Sequence, residues 1–112
     1  MIPLNQSRSD AVANIEGALF LSANFVIPEV LVFFNNSLMR GNRVTQIAND
    51  RMAAFSSPNF EAIGNLDVKL NIKWGAILAH PEKHEAFKIA NSLESKIGFF
   101  LVTPFIHYEA LA

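Results

Sequence analysis

The sequence predicts a single small α/β domain over residues 1–112, with a mostly parallel sheet of about four strands and flanking helices. Three observations predict it. Residues 75–103 read as strand, amphipathic helix, strand, and at this spacing that is a βαβ unit whose strands run parallel. The apolar runs 75–79 and 99–102 are continuous rather than alternating, as expected of strands buried on both faces. Finally, 112 residues that are 51% hydrophobic suit one core of single-domain size and exclude a disordered chain. An α+β fold with a helical N-terminal half is the alternative arrangement.

The elements follow in chain order. Ser9 or Asp10 caps a helix that carries Val12, Ile15, Leu19 and Ala23 on one stripe, with Gly17 weakening it by about 1 kcal/mol relative to alanine. Glu29 to Phe34 is rich in β-branched and aromatic residues and reads as a strand ending at Asn35-Asn36. A buried helix starting at Pro28 is the competing reading of the same run. Gly41-Asn42 marks a turn, and residues 43–55 read as a helix with Val44, Ile47 and Phe55 inward. Residues 56–59 form a loop and 63–65 a turn. From Leu66 to Trp74, apolar residues alternate with Asp67, Lys69, Asn71 and Lys73, the period of a strand with one wet face. Gly75 to Ala79 is the first buried strand. Pro81 and Glu82 open a helix over 81–97 that carries Ala86, Phe87, Ala90, Leu93 and Ile97 on one face, and Gly98 ends it. Phe99 to Val102 is the second buried strand, stopped by Thr103-Pro104.

Charge and composition narrow the function. Net charge is −1, so the basic excess of a general nucleic-acid binder is missing. With no cysteine, disulfides, thiolate metal sites and cysteine nucleophiles drop out together. The most apolar stretch, 18–39, contains Asn24, Pro28, Glu29, Asn35 and Asn36, so it is not a credible membrane span. The start lacks a basic segment leading into an apolar one, so the expected location is the cytoplasm. Ten phenylalanines against one tryptophan and one tyrosine favour packing and interfaces over hydrogen-bonded recognition. That surplus points to self-association, most simply a homodimer.

Chemistry-bearing patterns are few. His80 and His84 are four apart, but Pro81 places His80 outside the helix and spoils the shared face that a pair of metal ligands needs. A polar first helical turn is the preferred reading, and no metal is expected. Arg40, Arg43 and Arg51 form an arginine concentration read as a salt-bridged surface. No glycine-rich phosphate loop and no G-x-S-x-G serine is present, and no catalytic residue can be named. In a parallel sheet, ligands bind beyond the carboxyl ends of the strands. Asn35, Asn36, His80, His84 and Thr103 would share that rim, beside a helix N-terminus suited to an anion, although a simple cap or turn of the chain is the preferred reading of Asn35-Asn36.

These readings predict a small cytoplasmic protein-interaction module. It is non-catalytic, self-associates as a homodimer or other homo-oligomer, takes a protein partner, and uses no cofactor. The alternative is a minimal ligand-binding or transferase-like domain holding an anionic small molecule, such as a nucleotide sugar, at the strand ends.

Overall fold

The computed structural model describes residues 2–82, 88–93, 95–99 and 101–104. One helix, α1 (Ala11–Asn24), packs on a four-stranded sheet of order β1-β2-β5-β6. A separate two-stranded ribbon pairs β3 with β4. The strands are β1 (Leu31–Phe34), β2 (Ser37–Arg40), β3 (Thr45–Gln46), β4 (Phe55–Ser56), β5 (Gly64–Leu66) and β6 (Leu70–Ile72). Two short 3-10 helices occupy Gly41–Arg43 and Trp74–Ala76.

The N-terminus of α1 is fastened by polar side chains. The Ser9 hydroxyl accepts the Ala11 N–H at 3.1 Å, and the Asp10 carboxylate accepts the Ile2 N–H at 2.7 Å. That bond holds the Asp10 carboxyl below its ordinary pKa. At the other end, the Asn24 amide donates to the Phe20 carbonyl at 2.8 Å, and Pro28 keeps the chain from resuming a helix. Gly17 turns out to be the contact point rather than a defect. A Cβ there would lie 2.1 Å from Cε1 of Phe33, so only glycine lets α1 settle onto β1. The stripe expected to face inward is therefore misplaced: Val12, Ile15 and Leu19 are exposed, while Gly17 and Leu21 are buried.

Among the described residues every strand pair is antiparallel, which overturns the mostly parallel sheet. The physical reason lies at Asn35-Asn36. These residues have φ of 45° and 61°, the left-handed pair that a two-residue type I′ hairpin requires. The chain therefore reverses at once, pairing Leu31 with Arg40 and Phe34 with Ser37, and no crossover can intervene. Nor is the N-terminal half helical throughout, since β1 and β2 occupy its centre. The helix expected over 43–55 is replaced by the β3–β4 ribbon. The single strand expected from Leu66 to Trp74 is replaced by two short strands folded back at Asp67-Val68-Lys69, pairing Gly64 with Ile72 and leaving Val68 fully exposed. Asn65 and Asn71 are exposed, while Leu66, Leu70 and Ile72 are half-buried.

The βαβ unit of 75–103 does not form among the described residues. Trp74–Ala76 is a 3-10 turn, and the described residues of 77–104 carry neither helix nor strand. Leu93 and Ile97, which belong to the expected apolar stripe, are 90% and 80% exposed. An amphipathic helix draws most of its stability from the surface its stripe covers, and these side chains meet none.

The core sits on both faces of β2, where the consecutive residues Leu38 and Met39 are buried, as are Leu21, Ala54 and Ile63. On one face, Phe33 packs against α1 at Gly17. On the other, Phe34 meets Phe55 of β4 edge to face, with ring centroids 5.0 Å apart.

Candidate functional site

The described residues singled out for a ligand rim have no common strand edge to share. Asn35 and Asn36 form the hairpin turn. The Asn35 N–H donates to Oδ1 of Asn14 on α1 at 2.9 Å, and the Asn36 amide donates to Oδ1 of Asp67 at 3.2 Å. These asparagines link the hairpin to α1 on one side and to the β5–β6 turn on the other. His80 and Thr103 are exposed and lie outside any strand, and His84 lies outside the described residues. With no parallel pair, the sheet supplies no common carboxyl edge to collect them. Among the described residues, no group of three His, Cys, Asp or Glu side chains could hold a metal.

The chemistry of the fold concentrates elsewhere. Glu29 precedes β1 and Arg40 ends β2, so the hairpin register brings them together diagonally across its open end. The Arg40 guanidinium donates from Nε to Oε2 of Glu29 and from Nη2 to Oε1, the latter at 2.8 Å. This is a fork-on-carboxylate pairing, the strongest ion-pair geometry available to arginine. Side-chain exposure is 3% for Glu29 and 15% for Arg40. Arg40 also donates to the Ala76 carbonyl at 2.9 Å, and its guanidinium stacks over the Phe60 ring at 4.3 Å. The second proton donor to Glu29 is the Leu78 N–H, at 2.7 Å. Arg40 and then Leu78 pull the Glu29 carboxyl below its ordinary pKa against the opposing effect of burial, and Glu29 in turn raises Arg40.

Beside this pair runs a cleft of about 210 Å³ between α1 and β1, lined mainly by Leu21, Phe25, Ile27, Leu31 and Phe33, with Glu29 at its edge. The arginine concentration read from sequence divides accordingly. Arg40 is half-buried in the pair, whereas Arg51 lies 3.7 Å from Asp50 with both side chains exposed. The Glu29–Arg40 pair was missed because eleven positions separate the two. Reading Asn35-Asn36 as a two-residue turn would have revealed it, since that register sets Arg40 opposite Leu31 and leaves Glu29 two residues along the same face.

The family model described as asparaginase, N-terminal, matches residues 1–78. The chain belongs to the asparaginase N-terminal family. Over 96% of its length it is 39% identical to an L-asparaginase of Dirofilaria immitis, and over 92% it is 32% identical to a human 60 kDa lysophospholipase. Over 52% of its length it is 52% identical to L-asparaginase 1 of Escherichia coli strain K12. Among solved structures, L-asparaginase I from Vibrio cholerae matches with a TM-score of 0.80 and 35% identity over 99% of the chain. The chain spans less than a fifth of the curated relatives, 17–18% of each, and 34% of the solved chain.

Membership in this family overturns two expectations. The non-catalytic interaction module gives way, because these relatives carry the names of enzymes. The nucleotide-sugar alternative gives way too, because it required the parallel strand ends that the antiparallel sheet lacks. Among the described residues, no helix is long and apolar enough to cross a membrane.

Proposed function

We propose that the chain forms part of an L-asparagine amidohydrolase, an enzyme that splits the side-chain amide of asparagine with water to give aspartate and ammonia. The observation that carries this reading is the 39% identity to an L-asparaginase across 96% of the chain. The likeness to a solved L-asparaginase I over the whole α1–hairpin unit supports it. In this reading the chain supplies framework: α1 and the β1–β2 hairpin form one rigid piece of the enzyme's N-terminal unit. We place the protein in the cytoplasm and in a homo-oligomer. The exposed Val12, Ile15 and Leu19 of α1 support the second point. Cell fractionation and light scattering test these two placements.

Grafting tests the function. Residues 1–78 would replace the equivalent segment of the Vibrio cholerae L-asparaginase I, and ammonia release from L-asparagine would be followed in a coupled assay. The expected result is a folded chimera whose kcat/KM lies within about tenfold of the parent, a loss of roughly 1.4 kcal/mol or less in transition-state binding. A folded chimera that fails to hydrolyse asparagine would remove the proposal, and one that hydrolyses a lysophospholipid instead would redirect it.

A further inference from the structure

The Glu29–Arg40 pair does not join two strands of the sheet to each other alone. Each partner directs a further hydrogen bond at the segment that leaves the sheet after β6: Arg40 donates to the Ala76 carbonyl, and Glu29 accepts the Leu78 N–H. That segment has little else to hold it. No residue from Trp74 to Leu78 is buried; Trp74 is 55% exposed and Leu78 59%. Its own backbone bonds are local turn bonds, Ala76 N–H to the Lys73 carbonyl and Ile77 N–H to the Trp74 carbonyl. Among the described residues, its one ring contact is Trp74 against Phe25, with centroids 6.1 Å apart. A segment with so little apolar burial opens locally at low cost unless polar ties retain it. Here the ties come from a half-buried ion pair whose charges strengthen the hydrogen bonds they make. The Phe60 ring under the guanidinium limits where Arg40 can turn. The family match ends at residue 78, the same residue whose N–H the carboxylate takes.

We propose that Glu29 and Arg40 form a strap that fixes where, and in which direction, the chain departs from the sheet at Ala76–Leu78, and so orients whatever follows residue 78. The strap belongs to the hairpin's open end, so the rigidity of β1 and β2 is transmitted to the exit. This holds whether or not the enzyme reading is right, because it depends on the fold alone.

Amide hydrogen exchange on the full chain tests it. The main variant is the double substitution Glu29→Leu and Arg40→Met, which replaces the pair with apolar side chains of similar size. A swap of this kind tends to leave a sheet stable, but here it removes both ties to the exit. Glu29→Gln is the companion, keeping the volume and losing the charge. The amides of Gly41 and Ile63, bonded to the Val30 and Leu38 carbonyls, report on the sheet. The expected result is exchange at Leu78 accelerated by about tenfold or more in the double variant, and by less in Glu29→Gln, with Gly41 and Ile63 unchanged. Trp74, the one tryptophan in the chain, should shift its emission to longer wavelength in step. Unchanged exchange at Leu78 in the double variant would overturn the strap. Loss of protection at Leu78, Gly41 and Ile63 together would also overturn it, since the pair would then be part of the sheet's own core.

Discussion

Substituting Gly17 by alanine isolates the contact on which the packing of α1 against β1 depends. Helix propensity alone favours the change by about 1 kcal/mol, because glycine gives up more backbone freedom than alanine. The structure opposes it. The new Cβ would stand 2.1 Å from Cε1 and 2.6 Å from Cζ of Phe33, well inside van der Waals contact. Either the ring or the helix must move by more than an ångström, and overpacking of that kind costs roughly 1–3 kcal/mol. The balance is a net destabilisation of up to roughly 2 kcal/mol. Urea unfolding followed by far-ultraviolet circular dichroism measures it, with the midpoint falling and the slope unchanged. Shortening the ring by Phe33→Leu in the Gly17→Ala background should recover part of the loss, giving a coupling of at least about 0.5 kcal/mol. A Gly17→Ala variant more stable than the parent would refute the reasoning, because α1 would then not rest on β1 at this point.

Other outcomes follow from the same contacts. Asn36→Val places a β-branched residue at φ 61° and should cost about 1–2 kcal/mol. Asn36→Gly, which loses the bond to Asp67 but suits the turn, should stay within about 1 kcal/mol of the parent in the same urea assay. The Glu29 carboxyl has a folded pKa below its unfolded one, so its contribution is fully present above the unfolded value and is lost as pH falls through the depressed folded value. Stability measured from pH 7 down to pH 2 should therefore fall more steeply in the parent than in Glu29→Gln, and parallel curves would contradict the pairing with Arg40. His80→Ala and Thr103→Ala remove exposed side chains outside any strand or helix, so each should change stability by less than about 0.5 kcal/mol by thermal melt.

The parts of the fold readable in sequence are those governed by local chemistry. Ser9 and Asp10 announce the start of α1, and the β-branched and aromatic run before Asn35 announces β1. What misled was the meaning of a continuous apolar run. Continuity at 75–79 and 99–102 suggests burial between parallel neighbours, yet those runs form no strand among the described residues, whereas the apolar Leu31–Phe34 lies between α1 and β4 in an antiparallel sheet. Asn35-Asn36 is legible as a turn, but not as the tight reversal that pairs β1 with β2, because neither residue is the glycine that most often marks such a hairpin. The face of α1 was misassigned for a related reason. Hydrophobicity marks Val12, Ile15 and Leu19, yet contact is decided by Gly17, a residue that a hydrophobic stripe does not score. The Glu29–Arg40 pair depends on the register of that same turn, so it could not be placed before the hairpin was. For the ligand rim, the error lay upstream of its residues, in the direction of the strands that were to gather them.

The most direct measurement compares two grafts into the Vibrio cholerae L-asparaginase I, one carrying residues 1–78 as they stand and one carrying Asn35→Val with Asn36→Val. The account predicts that the first hydrolyses L-asparagine near the parental kcat/KM and that the second, with its hairpin strained, loses stability and activity together. A well-folded first graft that releases no ammonia from asparagine would contradict it.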